Sequence, residues 1–183
     1  MSARIYTRTG DKGKTGLMGG TRTSKDSARV VAYGNVDEAN CVLGVVLSLS
    51  KDQEVNLLLE ALQRDLFTVG ADLASLGVDS NWGPRISAEM VTAMEKTIDK
   101  FQEELPPLSA FILPSGGQVG ALLHFARSVV SRAERNIVAL ARTEDVNENL
   151  IPYMNRLSDL LFVLARVANR REGQKETEWH PTK

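Results

Sequence analysis

The sequence predicts an all-α protein, an up-and-down bundle of five helices preceded by a glycine-rich, basic N-terminal arm. From residue 28 onward, apolar residues recur at spacings of three and four in five separate segments, which is the period of an amphipathic helix. No strong strand pattern appears after residue 35. The arm instead interleaves glycines and threonines with cations, and a helix would not tolerate so many glycines. We therefore divide the single domain into an arm at 1–27, a bundle at 28–171 and a polar, loose tail at 172–183.

The boundaries of the five helices follow from the apolar period and from the residues that start or stop a helix. The predicted ranges are 29–49, 54–76, a third helix from Ser87 to Pro106, a fourth to about Arg142, and a fifth from about Asn149 to Arg171. A turn at 81–84 separates the second helix from the third. Ser87 is predicted to cap the third helix, and Ser115 with Gln118 matches a capping box for the fourth. Pro152 falls in the first turn of the fifth helix, where its missing N–H costs little.

Composition limits the classes of function. The chain has 183 residues, 43% of them hydrophobic and 25% charged, which is typical of one soluble globular domain. The 22 basic and 23 acidic side chains nearly cancel, which disfavours a basic nucleic-acid binder. The single cysteine, Cys41, excludes an internal disulfide and a cysteine-based metal site.

Localisation is predicted from the same features. The longest apolar runs are too short to cross a membrane, and the N-terminus shows no apolar signal region. We expect a cytoplasmic protein, or a mitochondrial matrix protein if a eukaryotic transit peptide has been removed.

The arm carries a local excess of positive charge. Residues 1–35 contain two acids, Asp11 and Asp26, and seven basic side chains: Arg4, Arg8, Lys12, Lys14, Arg22, Lys25 and Arg29. Such an excess suits an anionic ligand. A solvated basic tail is the alternative interpretation, but the glycines favour a built loop, since a flexible linker would not need so many cations.

Three predicted helices each carry a polar stripe. On the fourth helix the stripe contains His124, Arg127, Ser131, Glu134 and Arg135, with Arg132 at its edge. The first helix offers Tyr33, Asp37 and Asn40, and the fifth offers Asn155, Asp159 and Arg166. Arginine forks bind phosphate well, and a glutamate can hold such a fork in place. Either these are solvated faces of bundle helices, or they converge with the arm into a site for a polyanion such as a nucleoside triphosphate.

Several familiar motifs fail. Gly13-Lys14-Thr15 ends like a P-loop, but Arg8 stands where that motif requires glycine. A di-iron bundle requires Glu three residues before His, and Ala121 and Thr177 occupy those positions.

Six motifs occur in order along the chain: TRTGDKG at 7–13, YGNVDEAN at 33–40, FILPSGG at 111–117, LHFAR at 123–127, RAER at 132–135 and YMNRLSD at 153–159. This series resembles the PduO-type corrinoid adenosyltransferases. The resemblance implies a ferritin-like five-helix bundle that forms a homotrimer with ATP bound between subunits. It implies transfer of the 5′-deoxyadenosyl group of ATP to the cobalt of cob(I)alamin, giving adenosylcobalamin and triphosphate. Mg²⁺ on the phosphates, a corrinoid reductase and an adenosylcobalamin-dependent acceptor enzyme would be partners, with no role for nucleic acid or membrane.

The resemblance also implies roles for individual residues. ATP would be bound by the arm of one subunit and by helix residues of another; the arm residues are Thr7, Arg8, Thr9, Gly10, Thr15, Gly16 and Lys25, and the helix residues are Arg132, Glu134, Arg135 and Asn155. Asp37 and Arg127 look like an ion pair across the subunit interface. Phe111 looks like the residue that keeps the lower face of cobalt free of a ligand, although composition alone would favour a core aromatic there.

One position departs from the family pattern. The family often has two arginines before Ala-Glu-Arg, whereas this chain has Ser131-Arg132. We expect weaker ATP binding at Ser131, or contact from another cation. A non-catalytic corrinoid carrier or nucleotide sensor on the same scaffold stays open as an alternative, as does a helical interaction module, which would not explain the arm.

Overall fold

The computed structural model describes residues 5–76 and 83–181. Their helices are α1 Ala28–Leu49, α2 Gln53–Ala74, α3 Ala88–Gln102, α4 Gln118–Leu140 and α5 Leu150–Arg171. Their strands are short: β1 Lys14–Gly16, β2 Arg22–Ser24, β3 Phe111–Ile112 and β4 Glu178–Trp179. The predicted all-helical class is confirmed, while residues 81 and 82 of the predicted turn lie outside the described residues.

The helices pack around one apolar core. α1 packs against α2 and α4, α4 against α5, and α5 against α3. Leucines of α1, α2, α4 and α5, such as Leu43, Leu66, Leu123 and Leu157, are fully or almost fully buried, and α3 contributes Met94 and Phe101. Tyr153 is also buried and donates its hydroxyl to Oδ2 of Asp65 at 2.8 Å. Burial, and then the Asp65 charge, raises the pKa of this phenol, so it stays a neutral donor.

Helix α1 is the one described helix long and apolar enough to cross a membrane by length and composition alone. The core helix of a water-soluble protein passes the same test. Here the side chains of Ala32, Val36, Leu43 and Val46 are buried in the core of the bundle.

Of the two helix caps that the sequence predicts, one is confirmed and the other is wrong. Ser87 caps α3 as predicted, since its hydroxyl accepts from the Met90 N–H at 3.4 Å. The predicted capping box of α4 is wrong: the helix begins at Gln118, and Ser115 donates its hydroxyl to the Leu113 carbonyl instead. The side chain of Asn169, on α5, accepts the Gly117 N–H at 3.0 Å. A contact between helices therefore satisfies this end of α4, where the sequence suggested a local cap.

The C-terminal tail is not loose over residues 174–179, which corrects the sequence prediction. β4 pairs antiparallel with β3, with Phe111 opposite Trp179 and Ile112 opposite Glu178. The carboxylate of Glu176 forms an ion pair with the buried guanidinium of Arg166. A buried cation requires such a partner, and the tail supplies it.

Candidate functional site

The arm folds into a small antiparallel hairpin. β1 and β2 pair with Thr15 opposite Thr23, and the connecting turn has Gly19 and Gly20 at φ of 88° and 87°. These are left-handed conformations that glycine adopts without steric cost. Arg22 holds the hairpin by donating to the carbonyls of Thr9 at 2.6 Å and Lys14 at 3.1 Å. Arg22 is therefore engaged in building the arm.

The hairpin brings several predicted ATP-binding residues together. The hydroxyls of Thr7 and Thr9 are 2.9 Å apart. A Cβ on Gly10 would lie 3.2 Å from the Lys25 Nζ, so glycine makes room for that ammonium group. Arg8 has φ of 60°, the one positive value among the described non-glycine residues. Such strain persists only where the surrounding structure imposes it, and it is common at ligand sites.

One cation of the predicted basic excess is not available to a ligand. Arg29 is buried and forms an ion pair with Glu144 at 2.8 Å. It also donates to the carbonyls of Leu73, Ser75 and Asp145. Arg29 thus ties together the start of α1, the end of α2 and the loop after α4, at the end of the bundle where Met18 of the arm donates to the Ala74 carbonyl.

Helix α4 carries three buried polar atoms without a hydrogen-bond partner among the described residues: the two ring nitrogens of His124 and Nε of Arg127. His124 is 2% exposed, and neither ring nitrogen has a hydrogen-bond partner among the described residues. Its ring lies 5.8 Å from that of Phe162. Burial, and then the charge of Arg127, lowers the pKa of His124, so the imidazole is neutral at pH 7. Nε of Arg127 is likewise buried and lacks a partner within the described part of the chain.

Asp37 and Arg127 do not meet within one chain. Asp37 is exposed on α1 and lines a groove of about 410 Å³ between α1 and α2. Over residues 5–76 and 83–181, no ion pair joins Asp37 to Arg127. The predicted pair across a subunit interface stays a prediction.

The predicted helix residues of the ATP site form a polar surface on α4 and α5. Arg132 donates its Nε to Asn35 at 3.0 Å and pairs with Glu38 of α1. The Asn155 amide donates to Glu134 at 3.2 Å, and Arg135 is exposed. No hydrogen bond or ion pair recorded for the described residues connects this surface to the arm.

Ser131 fills the place of the expected arginine with a short contact inside the chain. Its hydroxyl lies 2.9 Å from the hydroxyl of Ser158 on α5. The two hydroxyls therefore form a hydrogen bond within the chain.

Phe111 is a surface residue, so the core alternative is wrong. Its side chain is 81% exposed on β3, and its ring meets that of Trp179 edge to face, with centroids 6.5 Å apart. Gly116, which follows closely, has φ of 115°, and a Cβ there would overlap the Asn169 side chain. The FILPSGG motif thus presents an exposed aromatic directly before α4.

Sequence reasoning missed three residues of this region: Asn169, Glu176 and Trp179. An aromatic residue within an otherwise polar tail was the signal for Trp179. The pairing of Arg166 with Glu176 left no comparable pattern, because the two residues lie on different elements.

A protein-built metal centre is not apparent. Among residues 5–76 and 83–181, no group of three His, Cys, Asp or Glu side chains is arranged to hold a metal ion.

The fold and these surfaces define a five-helix bundle protein with a cationic hairpin near one end of α4 and an exposed aromatic pair of strands, β3 and β4, at the other. The family model for cobalamin adenosyltransferase matches residues 5–168. The chain therefore belongs to the cobalamin adenosyltransferase family.

Individual relatives agree with this membership. The chain is 42% identical over 180 residues to the corrinoid adenosyltransferase of Bacillus subtilis, covering 96% of this chain and 92% of that protein. It is 45% identical over 163 residues to the corrinoid adenosyltransferase PduO of Salmonella typhimurium, covering 88% of this chain and 48% of that protein.

A solved structure agrees as well. The chain superposes with a TM-score of 0.91 and 37% identity on a phenylalanine-to-alanine variant of the PduO-type ATP:corrinoid adenosyltransferase of Lactobacillus reuteri, covering 97% of this chain and 100% of that chain. That structure is a complex with cobalamin and ATP.

Proposed function

We propose that this protein transfers the 5′-deoxyadenosyl group of ATP to the cobalt of a reduced corrinoid, giving adenosylcobalamin and triphosphate. The family membership supports this function. The observation on this chain that supports it most is Phe111, an apolar ring held out at the surface beside the start of α4. Phe111 and Trp179 lie in ring contact and form an exposed aromatic surface, and contiguous exposed apolar surface marks a ligand or partner site, whereas a single exposed side chain does not.

The reaction requires no nucleophile from the protein. The electron pair of Co(I) attacks the 5′ carbon of ATP, the cobalt–carbon bond forms, and the carbon–oxygen bond to the triphosphate breaks. Triphosphate leaves with the electron pair of the broken carbon–oxygen bond, and cobalt is formally oxidised from Co(I) to Co(III). The protein's tasks are to align the two substrates, hold the leaving polyanion and exclude water.

The arm would bind the triphosphate of ATP. Lys25 beside Gly10 and the paired hydroxyls of Thr7 and Thr9 provide a cation and polar contacts on one hairpin. Mg²⁺ would be held by the phosphates. Arg132, Glu134, Arg135 and Asn155 would complete the site from a neighbouring subunit.

The length of α4 favours a site shared between subunits. The arm attaches near the C-terminal end of this 23-residue helix, whereas Phe111 precedes its N-terminus. A helix of 23 residues is about 35 Å long, so one chain does not place its own arm beside its own Phe111. A homotrimer in which one subunit supplies the arm and Asp37, and the next supplies Arg127 and Phe111, brings the two substrates together.

The unused Nε of Arg127 supports the same arrangement. A buried guanidinium nitrogen is rarely without a partner in a native structure. Asp37 of a neighbouring subunit would supply the missing acceptor and fix the interface around the site.

Phe111 would act on the oxidation state of cobalt. An apolar ring at the lower axial position offers no lone pair and leaves no room for water or a nitrogen base. Four-coordinate Co(II) then accepts an electron more readily, because no donated pair opposes it. The electron would come from a corrinoid reductase, and the product would pass to an adenosylcobalamin-dependent enzyme, both in the cytoplasm.

The test is the corrinoid spectrum after chemical reduction in the presence of ATP and Mg²⁺. A light-sensitive cobalt–carbon bond, formed with release of one triphosphate for each corrinoid, is the expected result. A corrinoid that binds but does not react would identify a carrier, and ATP binding without corrinoid binding would identify a nucleotide sensor. A heat-denatured sample is the control for spontaneous reaction.

A further inference from the structure

The C-terminal segment 174–179 lies beside Phe111 and is fixed there by three kinds of contact. Its strand β4 pairs with β3, and the Leu113 N–H donates to the Thr177 carbonyl at 2.8 Å. The Ser109 hydroxyl donates to the Glu178 carboxylate at 3.0 Å. The Gln174 N–H donates to the Asn169 carbonyl at 2.8 Å. The segment is therefore a built part of the fold.

A buried ion pair anchors this segment to α5. Arg166 is 5% exposed, and its Nε and Nη2 donate to the two oxygens of Glu176 at 2.9 to 3.2 Å. The same guanidinium donates to the Pro106 carbonyl at 3.1 Å. One cation thus holds both the tail and the connection that leads into β3.

The consequence of this anchoring is the position of Trp179. It stands opposite Phe111 in the strand register, and its ring presents an edge-to-face contact to the ring of Phe111, at an interplanar angle of 68°. Trp179 is itself 49% exposed, so the contact is not explained by burial in the core.

We infer that Trp179 is a positioning residue for Phe111. An exposed phenylalanine moves among its side-chain rotamers unless a neighbour restricts it. Trp179 restricts the ring from one side and leaves its other side free for the corrinoid. This inference rests on the proposed function, because it assigns to Trp179 the task of holding the ring that excludes a lower ligand from cobalt.

The test uses the full-length protein with ATP and cob(II)alamin, and compares Trp179→Ala with Trp179→Phe. Lys175→Ala, an exposed residue of the same segment, is the matched control. The readouts are the spectrum of four-coordinate Co(II), the KM for each substrate and the melting temperature. A merely structural role would move the melting temperature and both KM values together.

We expect Trp179→Ala to lower the ratio of four-coordinate to five-coordinate Co(II) by about two- to tenfold, the factor that an aromatic edge contact supplies. Trp179→Phe should restore most of that ratio, while the KM for ATP stays at the wild-type value in both variants. The control should match the wild type.

An unchanged four-coordinate ratio in Trp179→Ala would overturn the inference while leaving the proposed function intact. A Trp179→Phe variant as impaired as Trp179→Ala would overturn it too, since an aromatic edge would then not be what matters. A wild-type protein that neither forms four-coordinate Co(II) nor adenosylates a pre-reduced corrinoid would overturn the proposed function and this inference together.

Discussion

The N-terminal arm and the C-terminal tail are both short, non-helical segments, but they are attached to the bundle in different ways. The arm is held mainly by its own hairpin and by the backbone hydrogen bond from the Met18 N–H to the Ala74 carbonyl. Its Lys25 side chain stays exposed. The tail is held by pairing with β3 and by the ion pair of Glu176 with the buried Arg166. The arm thus keeps Lys25 available to a ligand, whereas the tail uses the carboxylate of Glu176 to hold a neighbouring element. Function therefore has to be inferred from what each charge contacts, because the two segments look equally polar in sequence.

The largest expected effect follows from removing the arm. Deletion of residues 1–20 should abolish ATP binding, because the glycine and threonine loop and β1 would be lost. The helical circular dichroism signal should largely persist, since these residues lie outside α1 to α5. Titration calorimetry with ATP and Mg²⁺ measures the outcome, with Lys175→Ala in the tail as the control. Unchanged ATP affinity in the truncated protein would mean that the arm is not part of the site.

A double-mutant cycle on Asp37 and Arg127 tests whether these two residues meet across a subunit interface. Asp37→Ala and Arg127→Ala should each reduce kcat/KM, and the double variant should lose less than the sum of the two. For residues in contact, the coupling is typically about 0.5–3 kcal/mol. Steady-state kinetics of the four proteins gives the coupling directly. Additive losses would show that these residues act independently.

Because Glu176 attaches the tail to the bundle, we expect its removal to lower stability and to leave ATP affinity unchanged. Glu176→Ala leaves Arg166 buried without its carboxylate and should lower the free energy of unfolding by about 2–3 kcal/mol, below the usual range for a fully buried pair because Glu176 is partly exposed. Glu54→Ala is the matched control, because its partner Arg171 keeps Asp52 and Glu104. Denaturant unfolding of both variants measures the difference. Equal losses in the two variants would mean that the ion pair of Glu176 with Arg166 stabilises the fold no more than an exposed ion pair does.

His124 is buried on α4, and its pKa is lowered by burial and then by the charge of Arg127, while the charge of Glu176 in the tail acts in the opposite direction. Its pKa is lower in the folded than in the unfolded protein, so the unfolded chain binds more protons once the pH falls below about 6.5. Stability should therefore decrease as pH falls from 7 to 5. His124→Leu should flatten that part of the profile. Unfolding curves at several pH values measure it, and parallel profiles for wild type and His124→Leu would contradict the assigned pKa direction.

Much of the fold could be predicted because its signals are local. The apolar period predicts all five helices, and Ser87 caps α3 through its own neighbours. The failures have a common cause, which is a partner far away in sequence. Asn169 accepts the N–H that a cap at Ser115 was predicted to satisfy. Arg166 forms an ion pair with Glu176 of the tail, which its polar composition predicted to be loose.

The candidate site was predictable in part for the same reason. The glycine and cation pattern draws attention to the arm, yet it counts Arg29 among the available cations, and the structure buries that residue against Glu144. The exposure of Phe111 had no local signal either, since an apolar side chain in a short connection is more often buried.

The central claim is that the arm of one subunit and Phe111 of another act on the same pair of substrates. Mixing two impaired proteins tests it directly: the variant lacking residues 1–20 and Phe111→Ala, unfolded and refolded together, and assayed for adenosylation starting from Co(II). Phe111→Ala should keep its ATP affinity and, because that side chain is 81% exposed, its melting temperature. Each protein alone should show little activity, and the mixture should recover a substantial part of it, because mixed trimers contain sites with an intact arm and an intact Phe111. A mixture as inactive as its components, in samples that native mass spectrometry shows to contain mixed trimers, would contradict the account.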